Sequence, residues 1–527
     1  MRLPGRKTTV YAVPDVLERP RLGIAPPRPQ PGERAPGARE DVRALSEVTP
    51  TLGDPEGALR YEEKALRETA LIETAPELVD AEMTPAETRP AEREHRRFYV
   101  PLRVRVLLTF VAGVSWLVFS TWLSRHWIAT LASDISVPLA VVVVSGIALI
   151  PGYLNIQLLT SIMLDSPPDL RMDVEFPPIA LLIAAYNEEQ GIAETLDFAL
   201  RSDYPGSFEV VVVDDGSKDG TREIAKQYES RDERVRLLEA DHGGKAEALN
   251  AALREVQTPL VATIDADTLL MPSSLRRAVA RLSNSPEDTV AVAGSVLARN
   301  SRDNLLTRAQ EWDYFLGIAS VKRAQALLQG TLVAQGAFSV YETEALRLAG
   351  GWPDRIGEDI VLTWRMLENG GRAVFEPTAA AFTEVPATWS AFVRQRRRWA
   401  RGMIEGLREH GTTLLRRMNF YSHSVAANFV FPLLDTTFTL AFIPGLVLAA
   451  FGNFAIVGPM TLLVLPLNAM LGGVMFLHQR RVFTSVNLHV RRNRKGLLFY
   501  LFCYQFVMAP ISVAGYVLET FRARRAW

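Results

Sequence analysis

A single cysteine, Cys503, serves a chain of 527 residues, and it lies inside an apolar run. Disulfide pairing and a cysteine-ligated zinc site are therefore both excluded. A strong charge of either sign is also missing, because the formal net charge is -1. Without the basic excess that phosphate backbones require, nucleic acid is not an expected partner. The first residues have no apolar signal core, so the N-terminus is not expected to be translocated by a cleaved leader. No internal repeat is evident. The first 95 or so residues have few aromatics and recurrent prolines (Pro26, Pro27, Pro29, Pro31, Pro36), with Glu, Arg and Ala dominating. Such a segment cannot bury enough apolar area to offset the entropy of ordering. Residues 1–97 are read as a disordered cytoplasmic tail, with a short amphipathic helix as the local expectation within Gly57–Thr74.

What the chain has in quantity is apolar sequence, 48% of it. Val106–Ser124 and Ile135–Leu164 contain no charged residue, and each exceeds the ~18 residues that mark a membrane helix. Two spans are expected within 98–165. Three more candidates follow a soluble middle: Val425–Ala450, Ile456–Leu477 and Leu497–Val517. The first contains Asp435, which leaves an interfacial start open, so residues 411–527 are read as interfacial and about three transmembrane helices. Pro432, Pro444 and Pro466 would kink these helices, which membrane proteins tolerate where neighbours satisfy the freed carbonyls.

Basic residues orient the spans. Arg96, Arg97, Arg103 and Arg105 precede the first, whereas the loop before the second carries only Arg125. The tail and the middle domain are therefore expected in the cytoplasm, with the chain multi-pass in the inner, plasma membrane. The turn at Gly452-Asn453 is expected outside, and Arg480, Arg481, Arg491, Arg492, Arg494 and Lys495 inside. A five-span count puts Arg522, Arg524 and Arg525 outside, against the rule, and leaves the C-terminal side open.

Within 166–410, strands alternate with helices. Ile179–Ala185, Glu209–Val213, Val235–Leu238 and Leu260–Ile264 read as strands. Ala193–Leu200, Asp219–Glu229, Lys245–Arg254 and Glu358–Asn369 read as helices. This spacing predicts an α/β domain with a mostly parallel, Rossmann-like sheet, whose ligands bind beyond the strand carboxyl ends. Tyr186-Asn187-Glu188, Asp214-Asp215-Gly216-Ser217 and Asp265-Ala266-Asp267 all fall at those ends.

Each motif has a chemistry and a plainer alternative. Asp265 and Asp267 could hold one divalent ion against a diphosphate, or Asp267-Thr268 could cap a turn. Tyr186 could pack on a flat base, and an aspartate could accept the imide hydrogen of uracil; ordinary turn chemistry is the alternative. His242-Gly243-Gly244-Lys245 precedes a helix, where Lys245 and backbone amides could meet phosphate; His242 itself reads as a turn residue. Asp359, opening a helix beside Glu358, could take the proton of an attacking hydroxyl or serve as an N-cap. Gln395, Arg398 and Trp399 share one helix face, offering a guanidinium for phosphate and an indole for a sugar. Arg396, Arg397 and Arg401 read as a basic stretch at a membrane interface.

Taken together with Gly244-Lys245 and Gly357-Glu358-Asp359, these motifs resemble glycosyltransferase family 2. They are most similar to its processive membrane synthases of poly-N-acetylglucosamine, hyaluronan, chitin oligosaccharides and cellulose, with the bacterial poly-N-acetylglucosamine enzymes nearest. The likeness covers about residues 100–527 and leaves the tail outside. It implies a GT-A nucleotide-sugar domain inserted between transmembrane helices, a UDP-sugar donor, and Mg²⁺ or Mn²⁺. It further implies donor binding by Tyr186, Glu188, Asp214 or Asp215, Lys245 and Asp265, and metal binding by Asp265 and Asp267. Asp359, with Glu358 beside it, is implied in catalysis, and Gln395, Arg398 and Trp399 in holding the diphosphate and the acceptor end. Gln335-Gly336-Ala337-Phe338-Ser339 resembles the family's acceptor loop, placing Gln335, Gly336 and Phe338 near the product.

The family's Thr-Glu-Asp is Gly-Glu-Asp here, which bears on how the base loop is anchored. The resulting expectation is an inverting, processive β-glycosyltransferase that polymerises a sugar, with UDP-N-acetylglucosamine favoured over UDP-glucose, and translocates the polysaccharide. Growing polysaccharide or a lipid acceptor, membrane lipid and accessory or export subunits are the implied partners. Transfer of a single sugar to a lipid carrier is the alternative within enzymes; a catalytically dead receptor is the alternative outside them.

Overall fold

The computed structural model describes residues 72–74, 101–165, 169–327, 330–417, 420–457, 464–486, 488–490 and 492–522. Most of the N-terminal tail, including nearly all of the segment expected to be helical, lies outside them. The exception is β1 (Ile72–Thr74), which pairs antiparallel with β10 (Leu488–Val490).

The middle domain is built on eight strands: β2 (Ile179–Ala185), β3 (Phe208–Asp214), β4 (Val235–Glu239), β5 (Leu260–Asp265), β6 (Leu269–Leu270), β7 (Thr289–Ala298), β8 (Phe338–Glu342) and β9 (Arg372–Thr383). Their order across the sheet is β4-β3-β2-β5-β8-β7-β9-β6. The run Ile179–Ala185 is apolar throughout because both faces of β2 are covered. Ile179, Leu181 and Ile183 pack with Ile192, Leu196, Ala225 and Leu275 of three helices on one side. Ala180 and Leu182 pack with Ala248, Leu249, Leu362 and Met366 on the other. Alternate side chains of a strand leave opposite faces, so a strand between two helical layers has no polar position.

The sheet is mixed, although most of its pairings, including β7 with β9, are parallel. β2 to β5 are parallel, but β8 runs antiparallel to both β5 and β7, and β6 antiparallel to β9. Apolar runs reveal a buried strand but not its direction. Direction depends on the end of the sheet from which the connecting segment returns.

Helices Leu102–Asp134, Val137–Met163 and Tyr421–Ala450 are long and apolar enough to cross a membrane. Apolar side chains such as Leu107, Val118, Trp122 and Leu139 stand on their outer surfaces. The expected span Leu497–Val517 is a bent pair, Arg494–Phe502 and Tyr504–Thr520, at 52° to each other. The expected span Ile456–Leu477 differs more. Residues 458–463 lie outside the described ones, and the helix that follows, Val464–Thr484, packs Met475 and Phe483 in one apolar cluster with Leu269 and Phe382 of the sheet. Its apolar face packs on the middle domain, a use of hydrophobicity that a sequence window cannot tell from lipid contact.

Candidate functional site

Parallel pairing brings three motifs to one edge. Ala185 is in register with Asp214 across β2 and β3, and Ala184 with Asp265 across β2 and β5. Tyr186, Asp215 and Asp265 therefore leave the sheet side by side. Asn187 turns the chain there in the left-handed region (φ 56°), a conformation that asparagine tolerates better than most residues. Its N–H donates to Ser217 Oγ at 3.0 Å, its Oδ1 accepts from Lys218 N at 2.8 Å, and Glu188 N donates to Thr221 Oγ1 at 2.7 Å. The first two strand-end loops are thus laced together.

The two aspartates after β3 serve that lacing. Asp214 has no exposed surface; its carboxylate accepts from Ser217 N at 3.1 Å and pairs with Arg222 Nε at 2.7 Å. Enclosed with these partners, the carboxylate of this donor-binding candidate organises the loop. Asp215 is nearly as buried and accepts from Gly243 N at 2.8 Å and Gly244 N at 3.0 Å, with His242 Nδ1 3.0 Å away. It pins the loop that leads into the helix Lys245–Glu255, and Gly244 (φ 86°) supplies a turn that a side chain would resist. His242 stacks on Tyr186 with ring centroids 4.2 Å apart. Turn residue though it is, His242 also backs the ring assigned to the base.

The space beyond holds an excess of negative charge. Burial first, then the charges of Asp267, Glu384 and Asp265, push the Glu188 carboxyl up to about 7. Burial and Asp265 push Asp267 up to about 6, although Thr383 Oγ1 donates to it at 3.1 Å. Glu358 is likewise raised by burial and by Asp359. Lys245 forms an ion pair with Asp265. Burial alone would lower this lysine, but Asp265 and Glu358 hold it above its ordinary value. A Cβ on Gly336 would stand 2.8 Å from Lys245 Nζ, so glycine there leaves the ammonium its place.

Asp265 and Asp267 fit a divalent ion on these grounds, since a cation offsets the burial and the mutual repulsion that raise the Asp267 carboxyl. Among the described residues no cluster of three or more His, Cys, Asp or Glu forms a complete cage. Two carboxylates would leave the other positions to diphosphate oxygens and water.

Asp359 is second in the helix Glu358–Glu368. The loop before it is seated on the helix Trp389–Gly406: Glu405 Oε2 accepts from Ile356 N at 2.8 Å and Gly357 N at 3.2 Å. A Cβ on Gly357 would lie 2.7 Å from Gly402 Cα. Glycine suits this position because two backbones touch here. Thr363, one turn after Asp359, donates to the Asp359 carbonyl at 2.7 Å and accepts from Ala334 N at 2.9 Å, tying in the loop of Gln335. Lys322, absent from the sequence reading, donates to Val333 O of that loop at 2.8 Å. Burial pushes it down to about 7, with Asp359 pulling the other way.

The remaining candidates divide. Gln335 Nε2 donates to Gly294 O at 2.7 Å. Phe338 is fully buried, its side chain packed in the sheet core. Its alternation within β8 carried that signal. Arg398 is exposed and its charge acts on Glu358, while Trp399 keeps 36% of its surface. Tyr314 lies 6.3 Å from Trp399, ring to ring, and its hydroxyl feels the charges of Asp267 and Asp265. The aromatic and acidic parts of the site therefore adjoin. Arg396 is corrected: it is not an interfacial basic residue but a buried one, with its guanidinium 4.0 Å from the Trp399 ring centre. Its position three residues before Trp399 was the available clue.

Residues 177–402 match the family described as glycosyltransferase like family 2. That stretch is a glycosyltransferase family 2-like domain. Its mixed sheet with acidic strand ends is a GT-A arrangement. The poly-beta-1,6-N-acetyl-D-glucosamine synthase of Staphylococcus aureus (strain COL) is 31% identical over 245 residues, which are 46% of this chain and 58% of that protein. The synthase of the same name from Staphylococcus epidermidis is 32% identical over 231 residues, 44% and 55% respectively. The chain thus spans a little over half the length of the curated relatives it matches. A mannosyltransferase from Pyrobaculum calidifontis, solved with GDP-Man and Mn²⁺, is 20% identical, with a TM-score of 0.48 over 80% of this chain and all of that one. The family 2 domain and the membrane-length helices on either side of it account for most of the described residues.

Proposed function

We propose that this protein is a membrane-embedded, inverting β-glycosyltransferase that adds sugars processively from a UDP-sugar and passes the polymer through the bilayer. UDP-N-acetylglucosamine is the favoured donor, by the kinship with the staphylococcal synthases. One observation carries the reading. The acidic strand ends, the Asp359 loop and the exposed Trp399 face share one site, and the helix bearing Trp399 packs directly on Tyr504–Thr520, half of the bent apolar pair, through Arg396 with Tyr504 and Arg401 with Glu519.

In this reading Tyr186 receives the uracil base, and Lys245, Arg398 and Gln395 take the diphosphate. A divalent ion at Asp265 and Asp267 would neutralise the leaving UDP. Asp359 removes the proton from the acceptor hydroxyl as that oxygen attacks the anomeric carbon from the side opposite UDP. The anomeric C–O bond to UDP breaks as the new glycosidic bond forms, so no covalent enzyme intermediate is needed. Trp399 stacks on the terminal sugar of the acceptor, an association broad enough to permit sliding.

The test is to incubate the purified full chain with each UDP-sugar and Mg²⁺ or Mn²⁺, follow UDP release, and identify the product with linkage-selective glycosidases. Polymer that requires metal and one donor is expected. A single-sugar lipid product would replace this reading with the carrier transferase, and full activity after thorough chelation would remove the metal from it.

A further inference from the structure

Arg396 has no part in the chemistry above, yet its surroundings are the most restrictive in the domain. Its side chain is fully buried. Nη2 lies 3.0 Å from Asp313 Oδ2 and donates to the Tyr504 hydroxyl at 3.1 Å, and that hydroxyl donates onward to Asp313 Oδ2 at 2.9 Å. Nε and Nη1 have no hydrogen-bond partner among the described residues. What surrounds the guanidinium instead is aromatic: Trp399 at 4.0 Å, Phe392 at 5.2 Å and Tyr314 at 5.8 Å from its carbon.

Three elements meet at this point. Arg396 and Trp399 lie on the helix Trp389–Gly406, Asp313 and Tyr314 on a π-helical turn, Asp313–Ile318, and Tyr504 on the helix Tyr504–Thr520. Such turns inside longer helices often occur at functional sites. Two buried nitrogens without partners are costly, and a methionine would fill the same volume without them. What the guanidinium adds is a flat cationic plane that stacks on an indole.

We propose that Arg396 is a positioning residue that holds the Trp399 ring from its inner face. Asp313 and Tyr504 fix Arg396 in turn, so the attitude of that ring is set by the helix Tyr504–Thr520. This rests on the reading of Trp399 as the acceptor platform. It explains why a buried cation is kept behind an exposed aromatic: the ring must meet each new terminal sugar at one angle while the polymer moves along the adjoining helix.

The test uses the full chain in nanodiscs with 5-fluorotryptophan, the Trp399 resonance being assigned by Trp399→Phe. Arg396→Met combined with Asp313→Asn removes both charges and leaves neither unpaired. This variant is expected to shift the Trp399 fluorine resonance, to leave UDP affinity unchanged, and to shorten the mean product by about tenfold, the scale on which a desolvated cation–π contact acts on an equilibrium. Tyr504→Phe, a milder change that keeps the fold, is expected to move the resonance in the same direction by less. A wild-type resonance in both variants overturns the inference, even if the product shortens, because the effect would then be one of stability. Normal polymer from Trp399→Ala would instead sink the platform reading, and the fluorine resonance would still decide whether Arg396 sets the ring.

Discussion

Asp359 occupies the first turn of its helix. Asp359→Asn keeps the shape and removes the base. Turnover is expected to fall by about 10²–10⁴-fold, the usual worth of general base catalysis, with UDP affinity unchanged; UDP release and UDP binding measured on one preparation check this. Glu188 and Asp267 make a different prediction. Their carboxyls are raised to about 7 and about 6, by burial first and neighbouring charge next. A raised carboxyl keeps its proton in the folded state at a pH where the unfolded chain has already lost it. Folding then loses stability as pH rises from the ordinary carboxylate range towards 7. In chelator the thermal midpoint should fall across that window, and saturating Mn²⁺ should flatten the slope by stabilising the ionised forms. A flat profile in chelator would mean that these charges are compensated elsewhere.

Elements determine whether such residues meet. The Asp359 loop is seated on the helix Trp389–Gly406 through the backbone contact of Gly357 with Gly402 and through Glu405. Gly357→Thr would press a branched side chain against backbone that has no rotamer to change. The loop is expected to lift, carrying Asp359 with it, and turnover to drop by about 10²-fold, as displacements near 1 Å do. UDP affinity should change much less, since Tyr186 and Lys245 sit on other elements. Unchanged turnover would show that the seat yields without moving the carboxylate. The regular elements were legible: the runs around β2, β3, β4 and β5 begin and end within a residue or two of their expected bounds. Their burial on both faces leaves only apolar residues, and Asp, Gly and Lys punctuate them. β8 was harder to place, because nothing in a short apolar run encodes its antiparallel pairing with β5 and β7.

At the scale of the whole molecule, the middle domain and the apolar helices flanking it are joined by buried polar contacts as well as apolar packing. Arg401 Nε meets Glu519 at 3.0 Å, and Arg323 pairs with Asp165 at the end of the second candidate span, with His478 Nε2 3.5 Å from the same carboxylate. If synthesis and passage of the polymer are one process, vesicles with the catalytic domain outside should accumulate polymer in the lumen, protected from added glycosidase. Trp399→Ala should leave donor hydrolysis or short products. Polymer remaining wholly on the donor side, or Trp399→Ala polymer of normal length, would separate catalysis from translocation.

The sequence by itself determined the parts whose physics is local. Long uncharged runs mark helices that need an apolar surround, continuous apolar strands require cover on both faces, and carboxylates at strand ends collect at one edge because parallel register aligns those ends. The placement of Asp265, Asp267 and Tyr186 follows from that alone. Tertiary structure decided what depends on neighbours distant in the chain. It enclosed Asp214 and Phe338, laid the helix Val464–Thr484 on the sheet, and matched Gly357 to Gly402. It also turned Arg396 from one arginine in a basic row into a buried cation behind Trp399. A guanidinium carries the same charge in water and in a core; only the surrounding chain fixes whether it is solvated or stacked.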